Sequence, residues 1–209
     1  MAVIHFIRQL VYQIPSNITI TAIDNPNYVI RPLSLEDIDN DEWLRKDRKS
    51  LIKLVKKGHL GIVIFDKENQ KVAARSFIAL YGKRLSHIPR TPKNSAWLHY
   101  ASVKDEYRGH GLQNNLTMFA VQMILKINDR IEIYTDTGEG NIPSRINQRK
   151  LGLIECGVYT VLKIGTQRFP LCSVQLGFWN KKIKHPELSI GSLKNNRNIS
   201  IPKNNDSHT

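Results

Sequence analysis

The sequence predicts an α/β domain built on one mixed sheet, and three observations carry that prediction. β-rich segments alternate with amphipathic helical ones through the middle of the chain. An apolar fraction of 41% over 209 residues, with 8% aromatics, is enough for one proper core. The apolar runs are short, such as Ile62 to Phe65, whereas a membrane-spanning helix needs about 20 apolar residues, so no such helix is expected.

Taken in order, Val3, Ile7, Leu10, Val11 and Ile14 fall at helical spacing. Residues 1–25 therefore read as an N-terminal extension carrying an amphipathic helix. Tyr28 to Leu33 reads as a strand, and Ser34 caps the following helix with Asp37 in its first turn. A second helical stretch runs through Leu51, Leu54 and Val55 and stops at Gly58. Leu60 to Phe65 and Lys71 to Leu80 form a hairpin around the polar turn Asp66 to Gln70. Trp97 to Val103 is a further strand. Leu112, Leu116, Phe119, Ala120, Met123 and Ile127 trace one face of a helix. Arg130 to Thr135 is a strand, Thr137 to Gly140 a flexible connection, and Ser144 to Leu151 a short helix. Ile154 to Ile164 and Leu171 to Phe178 complete the order β-α-α-β-β-β-α-β-α-β-β. The domain occupies 26–179, and 180–209 is a basic tail, rich in Asn, Ser and Lys, that buries too little apolar surface to order itself.

Charge is the most prominent compositional feature. Lys and Arg total 31 against 18 Asp and Glu, a formal net charge of +13. This favours anionic partners: nucleic acid, a nucleotide cofactor, or an acidic acceptor. Lysine used simply as solvated surface accounts for it equally well. The segment Arg45 to Lys57 holds seven basic residues against Asp47, either a basic wall or the solvated face of an amphipathic helix; the second fits the inward Leu51, Leu54 and Val55 better. Cys156 and Cys172 are too few for a disulfide framework and read as small buried hydrophobes, so a reducing, cytoplasmic compartment is expected, with no membrane role and no metal site.

The chemistry concentrates between Val103 and Gln113. A strand ends, Asp105-Glu106-Tyr107 follows, then Arg108-Gly109-His110-Gly111, and an amphipathic helix starts at Leu112. Helix N-termini leave amides unpaired and carry partial positive charge, and glycines permit close approach of an anion. The order is neither the Walker pattern nor the dinucleotide fingerprint. It resembles the acyl-CoA loop of the GNAT N-acetyltransferases, Arg/Gln-x-x-Gly-x-Gly/Ala after a strand ending in Val. Downstream, Asn141-Ile142-Pro143-Ser144 and Lys150-Leu151-Gly152-Leu153 resemble that family's second signature, and the element order from about Tyr28 to Phe178 is similar to its fold.

The resemblance implies a mostly antiparallel sheet flanked by helices, with a V-shaped split between the Trp97 to Val103 and Arg130 to Thr135 strands. Acetyl-CoA would lie in the split. Backbone groups of Ala101, Ser102 and Val103 would pair with the pantetheine arm. Amides of Arg108, Gly109, His110, Gly111, Leu112 and Gln113 would hold the pyrophosphate, and Asn141 and Ser144 would flank the thiol end. Gln113 replaces a small residue but keeps its amide. Gln148 stands where many members carry a Tyr that protonates the departing thiolate, and an amide is no general acid.

The implied reaction is direct attack of a primary amine on the thioester. Freeing an alkylammonium of its proton at pH 7 costs about 4.6 kcal/mol, from a pKa near 10.4. His99 has a suitable intrinsic pKa, and by alternation shares a face with Trp97, Ala101 and Val103. Glu132 and Tyr134 share a face of the next strand and are candidates for base or acid, although a surface pair across the sheet fits them better; Tyr159 is a further acid candidate. The expected function is thus an acetyl-CoA-dependent N-acetyltransferase of unknown acceptor and open oligomeric state. The competing readings are an acyl-CoA-binding protein without turnover, and a basic nucleic-acid or ribosome-binding module.

Overall fold

The computed structural model describes residues 3–15, 18, 26–81, 94–165 and 170–176. Among the described residues eight strands form one sheet: β1 (Val3–Ile14), β2 (Tyr28–Pro32), β3 (Leu60–Asp66), β4 (Lys71–Leu80), β5 (Ser95–Val103), β6 (Glu132–Gly138), β7 (Ile154–Gly165) and β8 (Pro170–Leu176). Their order is β2-β3-β4-β5-β6-β1-β7-β8. All neighbours are antiparallel except β5 and β6. The helices are α1 (Leu35–Asn40), α2 (Glu42–Lys46), α3 (Arg48–Lys56), α4 (Leu112–Ile127) and α5 (Ile142–Lys150). None of them is long and apolar enough to cross a membrane.

Local chemistry explains the elements read correctly from the sequence. Ser34 and Asp37 form a reciprocal capping box on α1. Arg31 holds the Asp37 carboxylate with two bonds of 2.6 and 2.7 Å. Burial alone would raise the Asp37 pKa, but the bonds from Arg31 and Ser34 keep it below the usual carboxylate range. At the β3–β4 turn, the Asp66 carboxylate accepts from the amides of Glu68 and Asn69 at 2.9 and 3.2 Å. Alternation then sorts the apolar side chains. Ile62, Ile64, Ala74 and Ile78 meet Leu112, Leu116, Ala120 and Ile124 of α4. Val63, Val72 and Phe77 face the opposite way, onto Ile38, Leu44 and Leu51 of α1 to α3.

The N-terminal helix is a correction. Residues 3–14 form strand β1, deep within the sheet between β6 and β7. Leu10, Tyr12 and Ile14 are buried on the α4 side, while Val11 is buried on the other. A strand covered on both faces loses polar alternation, and its remaining spacing mimics a helix. Residues 3–14 are therefore part of the domain. The Thr137 to Gly140 connection is corrected too: β6 runs on to Gly138, because β1 pairs Leu10 with Thr137 and Gln9 with Gly138.

A second correction concerns the faces of β5. Phe77 pairs with His99 and Arg75 with Ser102, so two residues of β5, Tyr100 and Ala101, oppose Ser76. Tyr100 takes φ +58, the left-handed region, within this bulge. Alternation therefore resets, and Val103 packs with Leu98 on the α4 side instead of with Trp97 and His99. The buried Arg75 guanidinium supports the bulge: it lies 4.6 Å from the Trp43 ring centre and 5.1 Å from that of Tyr100, and pairs with Asp47.

On α3, Lys49, Lys53 and Lys56 are exposed around buried Leu51, the pattern of a solvated helix face. The Cys156 thiol, pushed up to about 12 chiefly by burial, donates weakly to the Val11 carbonyl, as an inert core group does. The side chain of Cys172 and the whole 180–209 tail lie outside the described residues.

Candidate active site

β5 and β6 run parallel and in register from Ser95 with Glu132 to Leu98 with Thr135. Beyond that point β5 follows β4, pairing Ser102 with Arg75 and Val103 with Ala74. β6 instead follows β1 through Asp136 and Thr137. Two adjacent strands held by different partners separate, leaving the backbone of β5 after Leu98 without a strand on its β6 side. The gap opens into a cavity of about 890 Å³ bounded by β5, β6, the segment Tyr107 to Asn114, and α5.

The loop at the far end is shaped by two glycines. A short 3-10 turn, Asp105–Tyr107, follows β5, and Gly109 and Gly111 take φ +84 and +70 before α4 begins. Both values are strained for other residues. Gly111 supplies no side-chain cap, and among the described residues no acceptor takes the amides of Gly109, His110, Gly111, Leu112 or Gln113. Four of these amides, those of Gly109, Gly111, Leu112 and Gln113, and the positive end of a 16-residue helix thus meet at one end of the cavity. Unpaired amides at the positive end of a helix are a geometry that suits an anion. Arg108 lines the cavity too, its exposed guanidinium 2.7 Å from Asp105.

The loop is anchored from below. The Tyr107 hydroxyl donates to Asp66 at 2.8 Å, tying the loop to the β3–β4 turn. Asn141 uses its side-chain oxygen to accept from the Ser144 amide at 3.2 Å, capping α5, and both residues line the cavity. Asn147 donates to Asn114 at 2.8 Å and so links α5 to α4.

The structure brings Ala101, Ser102, Val103, Arg108, Gly109, Gly111, Leu112, Gln113, Asn141, Ser144 and His99 to this one cavity. His110 is exposed and not among its lining residues. Glu132 and Tyr134 lie lower, where β5 and β6 are still paired, and do not line it. Tyr134 stacks on Trp97 and donates to Glu132 at 2.9 Å; burial first, and this bond second, push its pKa far up. Tyr159 is buried with its hydroxyl donating to Asp136 at 2.6 Å, burial raises its pKa as well, and it does not line the cavity.

Two residues in or beside the cavity, His59 and Asp136, escaped the sequence reading, and Gln148, read there as a departure from the usual Tyr, lies with them. His59 is buried with Nδ1 2.9 Å from Nε2 of His99, so one ring donates and the other accepts. Asp136 lines the cavity one step past the last β5–β6 pair, accepting from Trp97 Nε1 at 2.8 Å as well as from Tyr159. Gln148 is 4% exposed and lines the cavity, with its carbonyl oxygen buried and unbonded. His59 and His99 are 40 residues apart, and no local spacing announces such a pair. Asp136 shares an alternation face with Tyr134, the one sequence signal available for it.

No protein-family model matches the sequence, and no curated protein matches it either. Solved structures do resemble the fold. A Drosophila protein superposes with a TM-score of 0.55 at 13% identity, over 80% of this chain and 53% of its own. A GNAT-family acetyltransferase from Colwellia psychrerythraea gives 0.53 at 13%, over 78% and 57%. A tandem GNAT protein of the clavulanic acid biosynthesis pathway gives 0.52 at 13%, over 75% and 53%. The chain thus spans little more than half the length of these structures. The fold is that of the GNAT acetyltransferases: a mixed, mostly antiparallel sheet flanked by helices, split between two parallel central strands.

Proposed function

We propose that this GNAT-like fold works as an acetyl-CoA-dependent N-acetyltransferase, moving an acetyl group from sulfur to the nitrogen of a primary amine. The observation that carries the reading is the parting of β5 from β6 directly beneath a loop with five free amides. A ligand that is an anion at one end and an extended amide chain at the other matches that layout. The amides of Gly109 to Gln113, with Arg108, would hold the pyrophosphate. Backbone groups of Ala101 to Val103 would pair with the pantetheine arm as an added strand, and Asn141, Ser144 and Gln148 would border its far end.

Acetyl-CoA supplies an activated acyl carbon; the protein's own part is to position it and to manage protons. The amine gives up two protons, one to the departing sulfur and one to solvent. His99, on the wall of the cavity and bonded to His59, would take from the ammonium the proton that leaves to solvent. The second reading, acyl-CoA binding without turnover, is favoured by Gln148, since an amide side chain lining the cavity cannot protonate a thiolate.

A thermal-shift titration with acetyl-CoA tests the cofactor. Ligand at 100 times its dissociation constant adds about 2.7 kcal/mol, a rise of roughly 5–10 °C for a chain of this size. Gly111→Asp sets a carboxylate among the five amides and is expected to abolish the rise while the variant stays folded. Thiol release in the presence of amines then separates enzyme from binder. No rise with acetyl-CoA, CoA or longer acyl-CoA removes both readings.

A further inference from the structure

We propose that Arg75 is an oxyanion receptor for the acceptor, so that the amine substrate also carries a carboxylate or a phosphate; the acceptor role rests on the acetyltransferase reading above. The Arg75 side chain is 5% exposed, and Asp47 engages its Nη2. Nε and Nη1 are buried with no hydrogen-bond partner among the described residues. A guanidinium presents five N–H donors in a fork that matches carboxylate and phosphate oxygens. Buried donors on a charged group cost stability while idle, and an oxyanion that reaches them binds more strongly than it would to a hydrated guanidinium. Asp47 does not meet this demand. Its side chain is 45% exposed, so water shares its charge, and it occupies one of the three nitrogens.

The guanidinium lies against one aromatic ring from each of two cavities. Its carbon is 4.6 Å from the Trp43 ring centre and 5.1 Å from that of Tyr100. Tyr100 lines the cavity between β5 and β6, and Trp43 lines a second one, of about 550 Å³, against α1 and α2. Ser102, the strand partner of Arg75, lines both. The way in is past Tyr100. It is 40% exposed and holds φ +58 in the bulge, the kind of strained backbone that clusters at ligand clamps. An exposed ring changes rotamer within nanoseconds, so Tyr100 uncovers the donors without any movement of the sheet.

The register also sets the size of the acceptor. Arg75 is two residues from Phe77 on β4, and the strand partner of Phe77 is His99. The rows of Arg75 and His99 are therefore about 7 Å apart. A nitrogen delivered to His99 and an oxyanion held by Arg75 fit the two ends of one small molecule. A plain alkylamine leaves the buried donors idle and is disfavoured.

The test combines three readouts on the full chain. Acetyl-CoA binding is followed by thermal shift. Short alkylamines, each as the plain amine, the terminal carboxylate and the terminal phosphate, are titrated by tryptophan fluorescence without cofactor, since Trp43 flanks the guanidinium. CoA release is then followed with the same set. Carboxylate or phosphate forms are expected to bind, and to give kcat/KM, at least about tenfold better than the plain amines; which form leads identifies the oxyanion. Arg75→Gln is expected to keep the acetyl-CoA shift and lose that preference, and Arg75→Lys to recover part of it. Tyr100→Gly uncovers the guanidinium and suits the positive φ, and is expected to tighten oxyanion binding severalfold. An acetyl-CoA-binding wild type that uses plain amines equally well, or none of the set, overturns the inference, as does a folded Arg75→Gln that keeps the preference. If Arg75→Gln does not fold, a Tyr100→Gly variant with no gain in oxyanion binding overturns it equally. A wild type without an acetyl-CoA shift brings down the parent reading and the acceptor role; a fluorescence preference for the oxyanion forms then leaves the receptor standing, and its absence overturns that too.

Discussion

Replacing Tyr107 by Phe removes one hydroxyl and tests how the loop is anchored. That hydroxyl donates to Asp66 Oδ2 at 2.8 Å, where Asn69 Nδ2 also donates at 2.8 Å; the other oxygen accepts from two backbone amides. Asp66 is 4% exposed and Tyr107 9%, so water does not readily replace the lost donor. A hydrogen bond to a charged group contributes about 1.5–3 kcal/mol. Three donors remain on the carboxylate, so the expected loss is about 2 kcal/mol, or a fall of roughly 4–8 °C in Tm. Burial alone would raise the Asp66 pKa, but its four donors hold it below the ordinary value. A depressed folded-state pKa contributes stability above the unfolded pKa near 3.9 and loses it as pH falls through the folded value. The gap between wild type and variant should therefore be full at pH 7 and shrink below about pH 4. Urea titrations of Tyr107→Phe, Asp66→Asn and the double variant at both pH values measure it. A difference under about 0.5 kcal/mol at pH 7, or one independent of acid, would refute the reasoning.

Four further outcomes can be checked alongside. A Cβ at Gly61 would lie 2.7 Å from Leu33 Cδ2 and 2.9 Å from Leu33 Cβ, so Gly61→Ala should cost about 1–3 kcal/mol in a denaturant titration. At Gly109 nothing lies within 4 Å but φ is +84, so Gly109→Ala should cost only about 1–2 kcal/mol of backbone strain while weakening acetyl-CoA in the thermal-shift assay. Asn141→Ala removes the α5 cap and should destabilise by about 0.5–2 kcal/mol, read as a lowered urea midpoint. In an alkaline titration of tyrosinate absorbance, Tyr107, pushed up to about 12 by burial and then by Asp66, should ionise well after an ordinary tyrosine. Because the folded state holds that proton more tightly, its contribution to stability is present below pH 10 and lost as pH rises toward 12, a loss that Tyr107→Phe should not show.

Much of this architecture was legible because its signals are local. The capping box of Ser34 and Asp37, the Asp66 turn, the two glycines before Leu112 and the helical face of α4 each lie within a few residues and follow from backbone rules. What escaped depends on partners far away. β1 pairs with residues 133–138 and 154–165, and burial on both faces erased the alternation that would have marked it. The bulge at Tyr100 carries no glycine, so the side-chain order of β5 could not be read through it. The candidate site divides along the same line. The anion loop was readable as a contiguous stretch, whereas the His59–His99 contact and the Trp97–Asp136–Tyr159 cluster exist only once the sheet has formed.

The placement of β1 also sets an order of events in the cell. Its residues leave the ribosome about 120 residues ahead of β6, and further still ahead of β7. At translation rates of about 5–20 residues per second, the segment waits on the order of 10 s before either neighbour exists. Throughout that interval its apolar side chains and unpaired backbone groups are open to wrong pairing. The same strand draws β6 away from β5, so the cleft does not exist in the nascent chain; it opens when an early-made segment is finally enclosed by later ones.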